Sequence, residues 1–134
     1  MEKKWTEELA TGVLEIDSQH KEFISALNSL LEAMSQGKGR PEAGRLLDFL
    51  GVYVEKHFGL EEEYMRRFMY PAYEEHRNIH AAFLKEMRLI QDEFRTSGAS
   101  ISLVLKVQRN MLDWLIVHIN QVDKKLGAFL KGKV

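Results

Sequence analysis

Histidine and acidic side chains are the residues of this sequence that could do chemistry, and no cysteine accompanies them. The histidines are His20, His57, His76, His80 and His118. A single histidine on a helix is usually a surface or hydrogen-bonded core residue. His76 and His80 lie four residues apart, so on a helix they would share a face and could bind one metal ion. His57 and Glu61 have the same spacing, although Glu61–Glu63 could also be only a solvated acidic face.

Apolar residues recur at helical spacing in four segments that breaker residues separate. The breakers are Gln36–Pro41, Met69–Pro71 and Thr96–Ser100. The predicted helices run near 18–36, 41–67, 71–96 and 100–127. Residues 1–17 are predicted to form an N-terminal arm, with Asp17 or Ser18 capping the first helix. Four amphipathic helices with short connections predict a single all-α domain over 1–134, an antiparallel up-down-up-down four-helix bundle.

The spacing of the histidines from the predicted turns brings them to one level of such a bundle. In an antiparallel hairpin, residues equally far from the turn lie at the same height. His20 and His57 are centred between residues 38 and 39, inside the first turn. The pair His57 and Glu61 and the pair His76 and His80 are centred between residues 68 and 69, at the second turn.

The third turn gives the same result. His76 and His80, taken with His118 and Asp123, are centred near residue 99. Three such coincidences that use all five histidines make chance a poor explanation. These side chains would point into an apolar interior, where unpaired polar groups are costly to bury. A bound cation would remove that cost, because neutral imidazoles and ionised carboxylates become its ligands.

The donor set limits which metal centre is possible. Without cysteine, thiolate zinc and iron–sulfur sites are excluded, and the donors must be nitrogen and oxygen. Five imidazoles exceed what one tetrahedral zinc needs, so two metals bridged by carboxylates fit better. No Glu-x-x-His motif of the ferritin-like di-iron proteins occurs. Imidazole combined with carboxylate suits iron.

Composition sets the broader expectations. The 19 basic and 20 acidic residues give a net charge of −1, so neither nucleic acid nor an anionic membrane is expected as a partner. The charged N-terminus lacks the apolar core of a signal peptide, and no apolar run is long enough to span a bilayer. A cytoplasmic monomer is therefore the expectation.

With these residues in view, the sequence resembles the hemerythrins, in particular the single-domain bacterial proteins of that family, the bacteriohemerythrins. The resemblance covers nearly the whole chain and has no gap at a ligand position. The segments that carry it are Ile16–Lys21, His57–Met65, Tyr70–Phe83 and Trp114–Asp123.

The resemblance implies a cofactor of two iron ions (Fe²⁺/Fe³⁺) joined by an oxo or hydroxo bridge. It also implies that one iron is six-coordinate and that the other keeps an open position for dioxygen. The implied ligands are His76, His80 and His118 for the first iron, His20 and His57 for the second, and Glu61 and Asp123 as bridges.

Asp123 lies five residues after His118, which is about 140° around a regular helix. Either the carboxylate reaches round the helix, or the helix has a π-type irregularity there.

Apolar residues next to the predicted ligands are expected to line an oxygen pocket and to exclude water and external protons. They are Phe23, Ile24, Phe58, Trp114 and Ile119. Each of them alone would be interpreted as ordinary core.

The leading hypothesis for function is reversible dioxygen binding for storage, transport or delivery, without a catalytic cycle. An oxygen-consuming enzyme is the candidate recipient. One alternative is a di-iron oxidase, a peroxidase or a nitric-oxide-handling protein, for which Tyr53, Tyr64 or Tyr73 could supply a proton. The other alternative is a purely structural bundle, which would require all five histidines to be incidental.

Overall fold

Four long helices make up the protein, as seen in a computed structural model that describes residues 3–36 and 40–134. A short 3₁₀ turn, Glu7–Leu9, precedes them. The helices are α1 (Leu14–Ser35), α2 (Arg40–Arg67), α3 (Tyr73–Ser97) and α4, which is continuous over 101–130. Each helix packs on the next, and α4 packs on α1 as well as on α3, which closes the bundle. The prediction of an all-α four-helix bundle is confirmed.

The start of α1 differs from the prediction. The helix begins at Leu14, four residues earlier than expected, so the arm is shorter than 1–17. Val13 occupies the N-cap position without a side-chain cap, so neither Asp17 nor Ser18 caps the helix. The Asp17 carboxylate instead accepts hydrogen bonds from the Thr11 backbone N–H at 2.9 Å and from the Thr11 hydroxyl at 2.8 Å. Asp17 therefore ties the arm to α1.

The other helix ends have local causes. After α2, Met69 adopts a left-handed backbone with φ of 56°, and the N–H of Tyr70 donates to the carbonyl of Met65. After α3, Gly98 has φ of 70°, and Ser100 then caps α4 by accepting from the Leu103 N–H at 3.1 Å. The α3 helix begins at Tyr73, two residues later than predicted, and α4 ends at Leu130, three residues later. The turn predicted within 36–41 falls largely on residues 37–39, which lie outside the described residues.

Two groups of buried apolar side chains fill the interior. The larger group extends along most of the bundle and includes Leu27, Leu50 and Ile90. The smaller group lies near the arm end and consists of Val13, Ile16, Met65, Leu126 and Leu130. On α1, His20 lies between Ile16 of the smaller group and Phe23 of the larger group, so apolar side chains flank it on both sides. No helix in residues 3–36 and 40–134 combines the length and apolar character needed to cross a membrane.

Candidate metal centre

Seven polar side chains that the sequence singled out converge in the interior of the bundle. They are His20 on α1, His57 and Glu61 on α2, His76 and His80 on α3, and His118 and Asp123 on α4. All seven are buried, and the most exposed of them, His118, has only 4% of its surface accessible. Each helix contributes at least one histidine, so the convergence depends on the whole bundle and not on one local motif.

Glu61 divides its two carboxylate oxygens between two sets of histidines. Its Oε2 lies 3.1 Å from the Nε2 of His20 and 3.0 Å from the Nε2 of His57. Its Oε1 lies 3.2 Å from the Nε2 of His80 and 3.5 Å from the Nε2 of His76. The side chain thus has one oxygen facing α1 and α2 and the other facing α3.

The two carboxylate oxygens of Asp123 also face different histidines. Its Oδ2 lies 3.0 Å from the Nε2 of His20, and its Oδ1 lies 3.1 Å from the Nε2 atoms of both His76 and His118. Two compact donor groups result, and in each of them the candidate ligand atoms lie within 4.8 Å of one another. The groups are His76, His80 and His118 with both carboxylates, and His20 and His57 with both carboxylates.

The contacts within the cluster suit metal ligands better than hydrogen bonds. Within the described structure, the Nε2 atoms of His57, His76, His80 and His118 and both Asp123 oxygens have no hydrogen-bond partner, although they are fully buried. Leaving so many polar atoms unpaired would be costly. Ligands at right angles and about 2.1 Å from one ion lie about 3.0 Å apart, which is the spacing most of these pairs show. The residues present therefore fit a two-metal centre.

A π-helical turn brings Asp123 into the cluster. Residues Ile119–Asp123 form π-helix, in which hydrogen bonds join residues five apart. A residue five positions after His118 then lies on the same face as His118, and the two side chains meet at 3.1 Å. The hypothesis of an irregular helix at this point is confirmed. A second π-helical segment, Gln108–Asp113, was not predicted.

Burial and mutual attraction set the protonation of the metal-free cluster. Burial alone would raise the pKa of Glu61, but the charge on His57 and the hydrogen bond with His20 hold that pKa well below its usual range. Burial would lower the pKa of His20, but the Asp123 and Glu61 carboxylates beside its Nε2 outweigh this effect and raise the pKa to about 9. The same causes raise the pKa of His76 to about 9. Without metal, protonated His20 and His76 would therefore form charge pairs with the two carboxylates.

Two histidines have side-chain partners behind the ring that the sequence did not indicate. The Nδ1 of His57 lies 2.8 Å from the Oε1 of Gln19, and the Nδ1 of His80 lies 2.9 Å from the Oε2 of Glu62. Both partners lie next to a predicted ligand in sequence. Glu62 was hidden because it sits in a run of acidic residues.

Three of the five predicted pocket residues contact histidine rings of the cluster, on different sides of it. Phe23 meets the ring of His57 edge-on at 5.9 Å between centroids. Phe58 stacks on His80 at 3.8 Å, and Trp114 stacks on His118 at 4.5 Å, so these two rings cover the three-histidine group. Ile24 and Ile119 are buried in the same apolar core.

The three tyrosines considered as proton donors hydrogen-bond elsewhere. The hydroxyl of Tyr53 donates to Glu22 at 2.8 Å and to the backbone carbonyl of Gln19 at 3.2 Å. The Tyr64 hydroxyl donates to Glu15, and the Tyr73 hydroxyl accepts from Arg66.

Comparison with known proteins points to one family. Residues 11–130 match the family model described as the hemerythrin HHE cation-binding domain. The chain is 34% identical to a bacteriohemerythrin of Stenotrophomonas maltophilia over 96% of its own length and 81% of that protein. It is 33% identical to a bacteriohemerythrin of Methylococcus capsulatus over 96% of both chains. Among solved structures, a crystal structure of wild-type hemerythrin superposes with a TM-score of 0.85 at 32% identity, covering 97% of this chain and 98% of that one.

Proposed function

The chain belongs to the hemerythrin family, and we propose that it binds dioxygen reversibly at a non-haem di-iron centre, for oxygen storage, transport or delivery. One observation carries the proposal. Glu61 and Asp123 each direct one oxygen toward the three-histidine group and the other toward the two-histidine group. Two carboxylates so divided suit a pair of metal ions held side by side.

The seven donors have distinct roles in this proposal. His76, His80 and His118 would hold one iron, His20 and His57 the other, and Glu61 and Asp123 would bridge them. When bound, the irons supply an open coordination position and the two electrons that dioxygen accepts on binding and returns on release. With three imidazoles on one side and two on the other, the open position would lie on the two-histidine side.

The apolar surroundings favour reversible binding over reaction. Phe23 beside His57 is fully buried, and so is Ile119 next to His118. Such side chains keep water and external protons away from the centre, which slows side reactions of a reduced site. Exclusion of protons is what a carrier needs and what an oxidase must circumvent.

The oxidase alternative lacks a proton donor among the residues first considered for it. Tyr53, Tyr64 and Tyr73 each hydrogen-bond to groups outside the seven-residue cluster. This supports a binding protein without a catalytic cycle.

An optical titration separates the hypotheses. Protein loaded anaerobically with Fe²⁺ is exposed to air and returned to argon through several cycles while its visible spectrum is recorded. A carrier develops colour in air and loses it under argon with little decline per cycle. Steady consumption of an added reductant with peroxide release would instead identify an oxidase, and a featureless spectrum would leave a structural bundle.

A further inference from the structure

Two of the five imidazoles in the cluster have a side-chain hydrogen-bond partner at Nδ1, and the two partners differ in charge. The Nδ1–H of His80 donates to the Glu62 carboxylate at 2.9 Å, and the Nδ1–H of His57 donates to the Gln19 amide oxygen at 2.8 Å. By contrast, the Nδ1 atoms of His20 and His76 are buried and have no hydrogen-bond partner in the described part of the chain.

Both hydrogen-bond partners select the same imidazole tautomer. An ionised carboxylate and an amide oxygen only accept hydrogen bonds, so each requires the proton on Nδ1 and leaves the Nε2 lone pair free. Those Nε2 atoms face Glu61 at 3.2 Å from His80 and at 3.0 Å from His57. Both rings are thus oriented as metal ligands.

We propose that Glu62 and Gln19 are positioning residues that make the two metal positions unequal. Glu62 strengthens the three-histidine position, so that position fills first and empties last, while the neutral Gln19 leaves the two-histidine position weaker. This order rests on the proposed division of the ligands between two irons, and two residues outside the ligand set determine it.

The physical basis is the charge behind the imidazole. A carboxylate that accepts from a ligating histidine increases the basicity of its Nε2, whereas an amide orients the ring without adding charge. The Glu62 side chain is 21% exposed, so solvent screens its charge only in part. Phe58 stacks flat on His80 with an interplanar angle of 2° and fixes the ring plane independently of Glu62. Replacing the carboxylate by an amide should therefore remove charge while leaving the orientation in place.

The test is a Zn²⁺ titration of the full chain followed by side-chain ¹⁵N NMR. Zinc is diamagnetic and redox-inert, so the Nε2 resonances of His80 and His57 report each position separately and without dioxygen. In the wild type, the His80 resonance should respond at lower zinc than that of His57. In Glu62→Gln, the affinity at His80 should fall by about 10- to 100-fold, the usual effect of losing such a partner.

Glu63→Gln is the matched control, because the neighbouring side chain is exposed and its substitution changes the net charge equally. It should leave both affinities within about twofold of the wild type, since surface charges are strongly screened. Equal behaviour of the Glu62→Gln and Glu63→Gln variants would overturn the proposal, as would simultaneous filling of both positions in the wild type.

Variants at position 19 test the proposed role of Gln19 at the two-histidine position. Gln19→Glu should tighten the His57 position, whereas Ser18→Glu, at an exposed neighbour, should not. The double variant with Gln19→Glu and Glu62→Gln should reverse the order of filling, and an unchanged order would contradict the proposal. Ordered zinc binding without reversible dioxygen binding by the iron protein would refute the proposed function alone.

Discussion

Replacing Gly127 with alanine should destabilise the protein, because α4 and the N-terminal arm touch at this residue. A Cβ on Gly127 would lie 2.1 Å from the carbonyl oxygen of Thr11 and 2.8 Å from its carbonyl carbon. Both atoms are backbone, so no side-chain rotation can relieve the contact. The arm must therefore move away from α4 at Gly127, which lies four residues after Asp123.

The expected loss of stability comes from overpacking and from weakened hydrogen bonds of the arm. Overpacking of this kind costs about 1–3 kcal/mol. Moving Thr11 also strains its two hydrogen bonds to Asp17, and bonds to an ionised group contribute about 1.5–3 kcal/mol each. The higher helix propensity of alanine offsets about 1 kcal/mol of this loss in the free energy of unfolding. The expected net loss in the free energy of unfolding is about 2–3 kcal/mol, because the arm can partly readjust.

Gly59→Ala is the matched control. Gly59 lies within α2, and a Cβ there would meet nothing within 4 Å. This variant should gain about 0.5–1 kcal/mol. Urea denaturation followed by far-UV circular dichroism, with the variants in the same metal state, measures both changes. If Gly127→Ala is as stable as the wild type or as Gly59→Ala, the close approach of the arm to α4 is wrong.

Three further predictions concern the metal centre. Ile119→Thr should admit water and make loss of the dioxygen-binding form faster, on the order of tenfold. Val117→Thr, at an exposed position on the same helix, should leave the rate unchanged, and equal rates in the two variants would contradict a protective role for Ile119. Glu61→Gln should reduce bound iron from two ions to fewer than one per chain by elemental analysis, because both donor groups share this carboxylate; two retained irons would contradict the bridge. Folding raises the pKa of His20 and His76 from 6.5 to about 9, so the folded metal-free chain binds more protons than the unfolded chain in that range. Its stability to urea should therefore fall as the pH rises from 6.5 to above 9, and a flat profile would contradict the charge pairs.

The level at which the histidines meet could be predicted from the sequence because it depends only on distance from turns. His20 and His57 lie on neighbouring helices equally far from the predicted turn, and antiparallel packing brings their ring centroids to 4.6 Å from each other. The five-residue step from His118 to Asp123 was informative because it does not fit one face of a regular helix, and the π-helical segment resolves this mismatch.

The start of α1 could not be predicted because tertiary contacts override capping preference. Asp17 has the composition of a helix cap, yet its carboxylate serves Thr11, which lies outside the helix. The sequence contained no sign that the arm would fold back against Gly127.

The partners behind the histidines were missed although the spacing rule contained them. Glu62 and His80 are centred on residue 71, and Gln19 and His57 on residue 38, both within turns predicted from the sequence. A glutamine beside a histidine and a glutamate within an acidic run have ordinary solvent-facing interpretations. Only the contacts at 2.8 and 2.9 Å distinguish them from surface residues.

The most direct test of the central claim is the amount of iron and of releasable dioxygen bound per chain. After anaerobic loading and removal of free metal, we expect two irons per chain, one dioxygen taken up for each pair of irons, and full release of that dioxygen under vacuum. A single iron per chain, or dioxygen consumed without release, would contradict the proposed di-iron oxygen carrier.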